Sequence, residues 1–327
     1  MDSYIPMGAN QKVIKATGYR RVMGWVFVAV IFIYMGKMLR ENWVQVREAD
    51  FALEVLPLLF STLIFAFSYV VQMWIWYLIT CKLGIALPAR DTATSWVYSQ
   101  FGKYLPGKVW LVLGRLLFYA SKGKSKKIVS VGLYLETISM IAAAALVFLI
   151  SLFFFAEVRF PLGRSPWGWV SLFIVGIFML LHPGLLQKVL NGFLIRFKRE
   201  PVTLPLRYRD ILWIVFLSVL AWGIGGVGFY LFVDAVFPVS PDHILFLTGA
   251  LAFSSTLGLL AIFSPSGLGV REGILVYLLS HTMPGAVAVL VSILTRIWMT
   301  LIEIGLAGMI YLVCLVRERN GKGKAHG

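Results

Sequence analysis

Charged residues interrupt the apolar sequence at SPSGLGVREG, the segment 264–273. Apolar runs precede and follow this segment, and Arg271 and Glu272 open the second of them. The first turn of a helix presents free backbone N–H groups and favours anions. Arg271 at such a helix start predicts a phosphate site. The alternative for Glu272 is that it only complements the dipole of the helix.

The same segment predicts a break in the backbone. Pro265 has no N–H to donate, and Gly267 and Gly269 accept positive φ angles, so a helix is expected to end and restart here. In lipid, irregular backbone is stable only where protein covers it or where it lines a wet cavity. A break that carries Arg and Glu is therefore a candidate functional site.

A second segment, 98–115, has the same character and reads YSQFGKYLPGKVWLVLGR. Its Pro106-Gly107 pair predicts another break, and cations alternate with Tyr and Trp around it. Such a mixture suits a lipid head group and its acyl chains, although anchoring at the interface explains any one residue equally well. Residues expected to bind a lipid head group are Lys103, Lys108, Arg115, Gly267, Gly269 and Arg271.

Further charged residues lie within apolar runs, where they usually pair with one another or face a cavity. Arg296 and Glu303 are seven residues apart and are predicted to share one helix face. The alternative is an ion pair that only locks helices together. We assign charge balancing or proton relay to Glu136, Glu272, Arg296 and Glu303.

Composition identifies the medium in which these residues act. The 327 residues are 59% hydrophobic and 14% charged, with a mean hydropathy of +0.84. Soluble domains have roughly 25% charged residues. The net charge of +15 would suggest a nucleic-acid partner in a soluble protein, but cytoplasmic loops of membrane proteins also collect Lys and Arg. We predict an all-α, polytopic integral membrane protein and no nucleic-acid partner.

Apolar runs long enough to cross a bilayer predict about eight transmembrane helices in one domain, 1–327. Broken or re-entrant elements are expected near 92–120 and 264–273, and a surface amphipathic helix at 183–197. The predicted spans are about Val22–Met38, Phe51–Ile79, Ile128–Phe155, Trp167–Leu181, Ile211–Phe237, Leu245–Phe263, Arg271–Ser280, and a last one from after Pro284 to Val316.

Loop charge predicts the orientation. Lys and Arg concentrate at both ends of the chain and in the regions 82–127 and 188–209, whereas the loop 238–243 has none. By the positive-inside rule, both termini are expected on the cytoplasmic side of the cell membrane.

Signatures of soluble enzymes are missing from the sequence. The four His residues are scattered, no metal-ligand spacing occurs, and no P-loop or nucleophile elbow is present. GIGGVG, at 223–228, resembles a dinucleotide fingerprint in spelling but lies in an apolar run, which indicates close helix packing instead. We expect no metal and no cofactor.

Motifs at the two breaks resemble the lysylphosphatidylglycerol synthase transmembrane-region family. They are FGKYLPGKVW followed by Gly114 and Arg115, then Glu136 in the next helix, then SPSGLGVREG. The family pattern often has Pro-Gly-Gly where this chain has Pro-Ser-Gly. The resemblance implies a flippase-like membrane domain that binds or translocates lipids. No soluble aminoacyl-transferase domain is expected, so synthase activity does not carry over.

The leading hypothesis is a lipid translocase or lipid-binding transporter for an anionic phospholipid or a polyprenyl-phosphate-linked lipid. An enzyme, namely a membrane-embedded lipid-modifying transferase, is less favoured because no nucleophile–base pair is evident. A scaffold for a neighbouring glycosyltransferase is the third hypothesis. The expected partner is an anionic membrane lipid; a homo-oligomer and a complex with a lipid-modifying enzyme or glycosyltransferase stay open.

Overall fold

The computed structural model describes residues 54–104, 109–154, 166–196, 198, 200–261, 264 and 267–323, together with Ile33, Lys37 and Arg40. This part of the chain is helical and contains no strand. Short 3-10 turns occur at Phe101–Tyr104 and Pro241–His243. The helices are α1 (Val55–Lys82), α2 (Ala89–Gln100), α3 (Val109–Ser121), α4 (Lys126–Phe154), α5 (Pro166–Leu180), α6 (Pro183–Arg196), α7 (Tyr208–Val236), α8 (Ile244–Leu260), α9 (Val270–Leu279) and α10 (Gly285–Gly323).

Five of these helices are long and apolar enough to cross a membrane, namely α1, α4, α7, α8 and α10. A sixth span results if α5 and α6, which meet at a bend of 69°, count as one. The all-α membrane class is thereby confirmed.

The predicted count of eight spans is not confirmed. Most of the first predicted span, Val22–Met38, lies outside the described residues. The predicted seventh span corresponds to α9, which has ten residues. A helix of that length extends about 15 Å, half of a ~30 Å hydrocarbon core.

Both predicted breaks separate helices in the structure. The basic region 82–127 contains the two short helices α2 and α3, and residues 105–108 between them lie outside the described residues. The second break separates α8 from α9.

Helices α1 and α7 form an antiparallel pair. The Glu54 N–H donates to the Ala235 carbonyl at 3.1 Å at one end, and Lys82 pairs with Asp210 at 2.8 Å at the other. Aromatic side chains attach α10 to this pair, since Trp298 stacks on Phe232 with ring centroids 4.5 Å apart. The pair forms the frame against which the broken elements pack.

The GIGGVG segment lies within α7 and allows the close helix packing that the sequence predicted. A Cβ on Gly226 would lie 2.1 Å from Oγ1 of Thr248 on α8 and 2.5 Å from its Cβ. A Cβ on Gly223, on the same helix, would meet no described atom within 4 Å. Gly226 is therefore required for the α7–α8 contact, and Gly223 is not.

We expect Gly226→Ala to destabilise the detergent-solubilised protein by about 1–3 kcal/mol, because the added methyl group overpacks the α7–α8 contact. Gly223→Ala is the matched control and should be neutral or slightly stabilising, since Ala has the better helix propensity. Thermal unfolding of both variants measures the difference. Equal melting temperatures would contradict the packing role of Gly226.

Candidate functional site

A central cavity of about 190 Å³ lies where the two broken elements meet the long helices. Helices α1, α2, α7, α8, α9 and α10 and the 3-10 turn after α2 all contribute to its wall. Its lining combines cations, amides, hydroxyls and aromatic rings. The lining residues are Phe65, Tyr69, Gln72, Gln100, Lys103, Trp222, Ser255, Leu259, Arg271, Arg296, Met299, Thr300 and Glu303.

The cavity wall carries more positive than negative charge. Lys103, Arg271 and Arg296 line it, with Glu303 as the carboxylate. Glu303 accepts hydrogen bonds from Lys103 and from the hydroxyl of Tyr69, each at 2.5 Å. Even when Glu272, behind the wall, is counted, three cations face two carboxylates. Among the described residues one positive charge remains in excess, which favours an anionic ligand in this low-dielectric setting.

The start of α9 fixes the position of Arg271. Gly269 has a φ of +82°, and its N–H donates to Oε2 of Glu272 at 2.7 Å. Oε1 of the same carboxylate accepts from Nη1 of Arg296 at 2.5 Å. Glu272 thus caps the helix and also ties α9 to α10.

The turn before α9 packs directly on α8. Gly267 has a φ of +69°, and a Cβ on it would lie 2.4 Å from the carbonyl oxygen of Gly258. Ser264 closes the turn by donating its Oγ hydrogen to the carbonyl of Leu268 at 2.6 Å. Glycine at 267 is therefore required by both backbone conformation and space.

Two polar atoms around the central cavity are buried without a hydrogen-bond partner among the described residues. They are Nε of Arg271 and Oγ of Ser255. The other end of the Arg271 guanidinium reaches Sδ of Met299, a weak acceptor. Because buried polar groups normally have hydrogen-bond partners, this wall is suited to a polar ligand.

Arg115 lies in a different environment, at the junction of α2, α3 and α4. Its side chain is buried, donates from Nε to Oγ of Ser99 at 2.9 Å, and pairs with Glu136 at 2.5 Å. The guanidinium also lies 4.7 Å from the ring centroid of Trp76. Trp96 donates to the second oxygen of Glu136 at 3.0 Å.

The structure thus divides the predicted site residues into groups. Arg115 and Glu136 are not part of the cavity wall in the described portion of the chain, and Lys108 lies outside the described residues. Gly267 and Gly269 form the turn that leads into α9, with Glu272 as its cap. The structure brings Lys103, Arg271, Arg296 and Glu303 together at one cavity.

Sequence reasoning missed much of the cavity wall. Gln72 lies in an apolar run and gave a usable signal, because an amide within a membrane span needs a polar partner. Tyr69 and Trp222 gave no such signal, since aromatic residues occur throughout the chain. Ser255 was inconspicuous because a hydroxyl can bond to its own helix backbone.

These elements define a class: a multi-pass helical membrane protein with a cation-rich cavity enclosed partly by interrupted helices. The chain belongs to the family described as the lysylphosphatidylglycerol synthase TM region, whose model matches residues 21–307. The family resemblance seen in the sequence is thereby confirmed, and it indicates a lipid-related function in a membrane. No curated protein matches the chain.

Proposed function

We propose that the protein binds the head group of an anionic membrane lipid in the central cavity and carries that lipid across the membrane. The observation that supports this most is the meeting of Lys103, Arg271 and Arg296 at one wall. Arginine presents a planar fork of donors that matches phosphate, and lysine adds a point charge. A phospholipid and a polyprenyl-phosphate-linked lipid both offer this phosphate chemistry.

Bound phosphate competes with the carboxylates that hold the cations in place. Lys103 already pairs with Glu303, and Arg296 pairs with Glu272. Arg271 therefore makes the first contact, because its Nε is buried and faces no described protein acceptor. The sequence contains no ATP-binding motif, so transport in this proposal is passive or driven by an ion gradient.

Lipid tails fit the apolar part of the same wall. Phe65 and Trp222 line the cavity together with Leu259, whose side chain is exposed on α8. Leu259 thus marks an edge where the cavity meets the outer surface of the described helices. In this proposal the acyl chains stay in the bilayer at that edge while the head group enters.

Transport is tested with purified protein in liposomes that contain a fluorescent phosphatidylglycerol, followed by chemical quenching from outside. Wild-type protein should expose inner-leaflet lipid faster than empty liposomes do. Ser255→Phe, which fills part of the cavity, should reduce this rate about tenfold, while Leu220→Phe, exposed on α7, should not. Equal rates for Ser255→Phe and wild type would contradict the proposal.

Product analysis in the same liposomes separates the rival functions. A chemically modified lipid would favour a membrane transferase. Neither transport nor product would favour a scaffold for another enzyme. Either result would contradict the proposal that the protein is a lipid translocase.

We further propose that both termini face the cytoplasm, as the Lys- and Arg-rich regions suggest. A thiol introduced at Ser240, beside the 3-10 turn Pro241–His243, should react with an impermeant reagent in intact cells. A thiol at Gly323, at the end of α10, should react only after the cells are opened. Both native cysteines, Cys81 and Cys314, must first be replaced by Ser. The reverse labelling pattern would contradict this orientation.

A further inference from the structure

A second, larger pocket lies on the outside of the α1–α7 pair, at the end where α1 finishes and α7 begins. This end groove has a volume of about 560 Å³, and none of its lining residues also lines the central cavity. Its charged members are Lys82, Arg209 and Asp210. Its apolar members include Leu78, Trp213 and Phe216. Polar and apolar residues are segregated within it.

Segregation in the end groove follows the axes of the two helices. Lys82 is the last residue of α1, and Arg209 lies in the first turn of α7. Leu78 lies one turn before Lys82, and Phe216 lies about 10 Å along the axis from Arg209. Because α1 and α7 are antiparallel, both cations lie at one end and both apolar walls extend from it. This arrangement is complementary to a lipid, with a charged head group at one end and an acyl chain along the apolar walls.

Charge at the end groove favours an anionic head group. Asp210 pairs with Lys82 at 2.8 Å, so these two charges offset each other. Arg209 is exposed and forms no ion pair with any residue that the structure describes. One positive charge is thus in excess where a head group would lie, and a cation at the membrane surface attracts anionic lipid.

The apolar wall fits an acyl chain. Trp213 and Phe216 stack with ring centroids 5.3 Å apart, and their side chains are 55% and 48% exposed. Two adjacent exposed rings form one side of a channel whose other side includes Leu78 of α1. An acyl chain lying in this channel would cover both rings.

We propose that the end groove binds one anionic glycerophospholipid as a resident lipid, with its head group on Arg209 and Lys82 and an acyl chain against Trp213 and Phe216. This site is separate from the central cavity and does not depend on transport. Lipid held here would bridge the ends of α1 and α7 and stabilise this helix pair.

The test uses phosphatidylglycerol with a photoreactive diazirine in one acyl chain, and phosphatidylcholine with the same chain. Purified protein is irradiated in nanodiscs of each lipid, and labelled peptides are identified by mass spectrometry. Wild-type protein should be labelled within residues 209–216 several-fold more by phosphatidylglycerol. Equal labelling by the two lipids would overturn the anionic preference.

Variants separate the head-group and chain contributions. Arg209→Gln should reduce labelling by phosphatidylglycerol about fivefold and leave labelling by phosphatidylcholine unchanged. Leu212→Trp, which fills the end groove, should reduce both, whereas Leu245→Trp, exposed at the start of α8, should reduce neither. Unchanged labelling in both Arg209→Gln and Leu212→Trp would refute the site.

Two controls locate the effect. Lys188→Gln removes an exposed cation on α6 and should not alter labelling of 209–216. Arg271→Ala alters the central cavity and should also leave this labelling unchanged. A loss of labelling with Arg271→Ala would show that the label follows lipid in the central cavity, and the separate site would be rejected.

Discussion

Glu136→Ala is expected to lower the free energy of unfolding by about 3–5 kcal/mol, because it leaves the Arg115 guanidinium buried without its carboxylate. Arg115 is 2% exposed, so water cannot replace the lost partner. Thermal or denaturant unfolding in detergent measures the loss. Trp96 loses its acceptor in the same variant, which adds to the expected effect.

Two further variants test whether the loss of stability comes from the buried charge of Arg115. Glu200, which is 89% exposed and pairs with Lys127, is the matched control: Glu200→Ala removes an exposed ion pair and should cost at most about 1 kcal/mol. The double variant Arg115→Met/Glu136→Leu should recover most of the stability, because no buried charge is then left unpaired. A Glu136→Ala protein as stable as Glu200→Ala would show that the Arg115 charge is compensated in another way.

The junction around Arg115 also affects the central cavity indirectly. Ser99 and Trp96 lie on α2, which continues into the 3-10 turn that carries Lys103. We therefore infer that the ion pair of Arg115 with Glu136 holds α2 against α3 and α4, and so fixes where Lys103 enters the cavity. Arg115 does not line the central cavity, so the head-group role that the sequence predicted for it stays a prediction.

Fold class and helix positions could be predicted from hydropathy, because each long apolar run must satisfy its backbone hydrogen bonds as a helix. Helix α7, for example, covers Tyr208–Val236 where the sequence predicted about Ile211–Phe237. Short segments were harder to assign. The ten residues of α9 have the composition of a span but not the length.

Partners of the buried charges could not be predicted from sequence. Arg296 and Glu303 were expected on one helix face, and both do line the central cavity. Their spacing in the sequence does not indicate which residues they pair with. The partner of Arg296 is Glu272 on α9, and the partner of Glu303 is Lys103 in the 3-10 turn. Such pairs join residues far apart in the chain, here 24 and 200 positions apart, and only the packing of helices brings them together.

The largest functional effect is expected at Arg271. Arg271→Lys should weaken retention of an anionic lipid through purification, since lysine cannot reproduce the bidentate fork of arginine. Arg271→Ala should weaken it further, by tenfold or more, because hydrogen bonds to charged groups contribute about 1.5–3 kcal/mol. Native mass spectrometry of co-purified lipid, at equal yield of monodisperse protein, measures both in proteins that also carry Leu212→Trp, so that lipid in the end groove does not contribute.

Two companion variants separate ligand binding from folding. Gly269→Val places a branched residue at a φ of +82° and should reduce the yield of folded protein, which Arg271→Ala should not. Lys188→Ala, exposed on α6, should retain lipid as wild type does. If Arg271→Ala retains the same anionic lipid in the same amount, Arg271 is not a head-group ligand. Its function is then to join α9 to α10 through Met299.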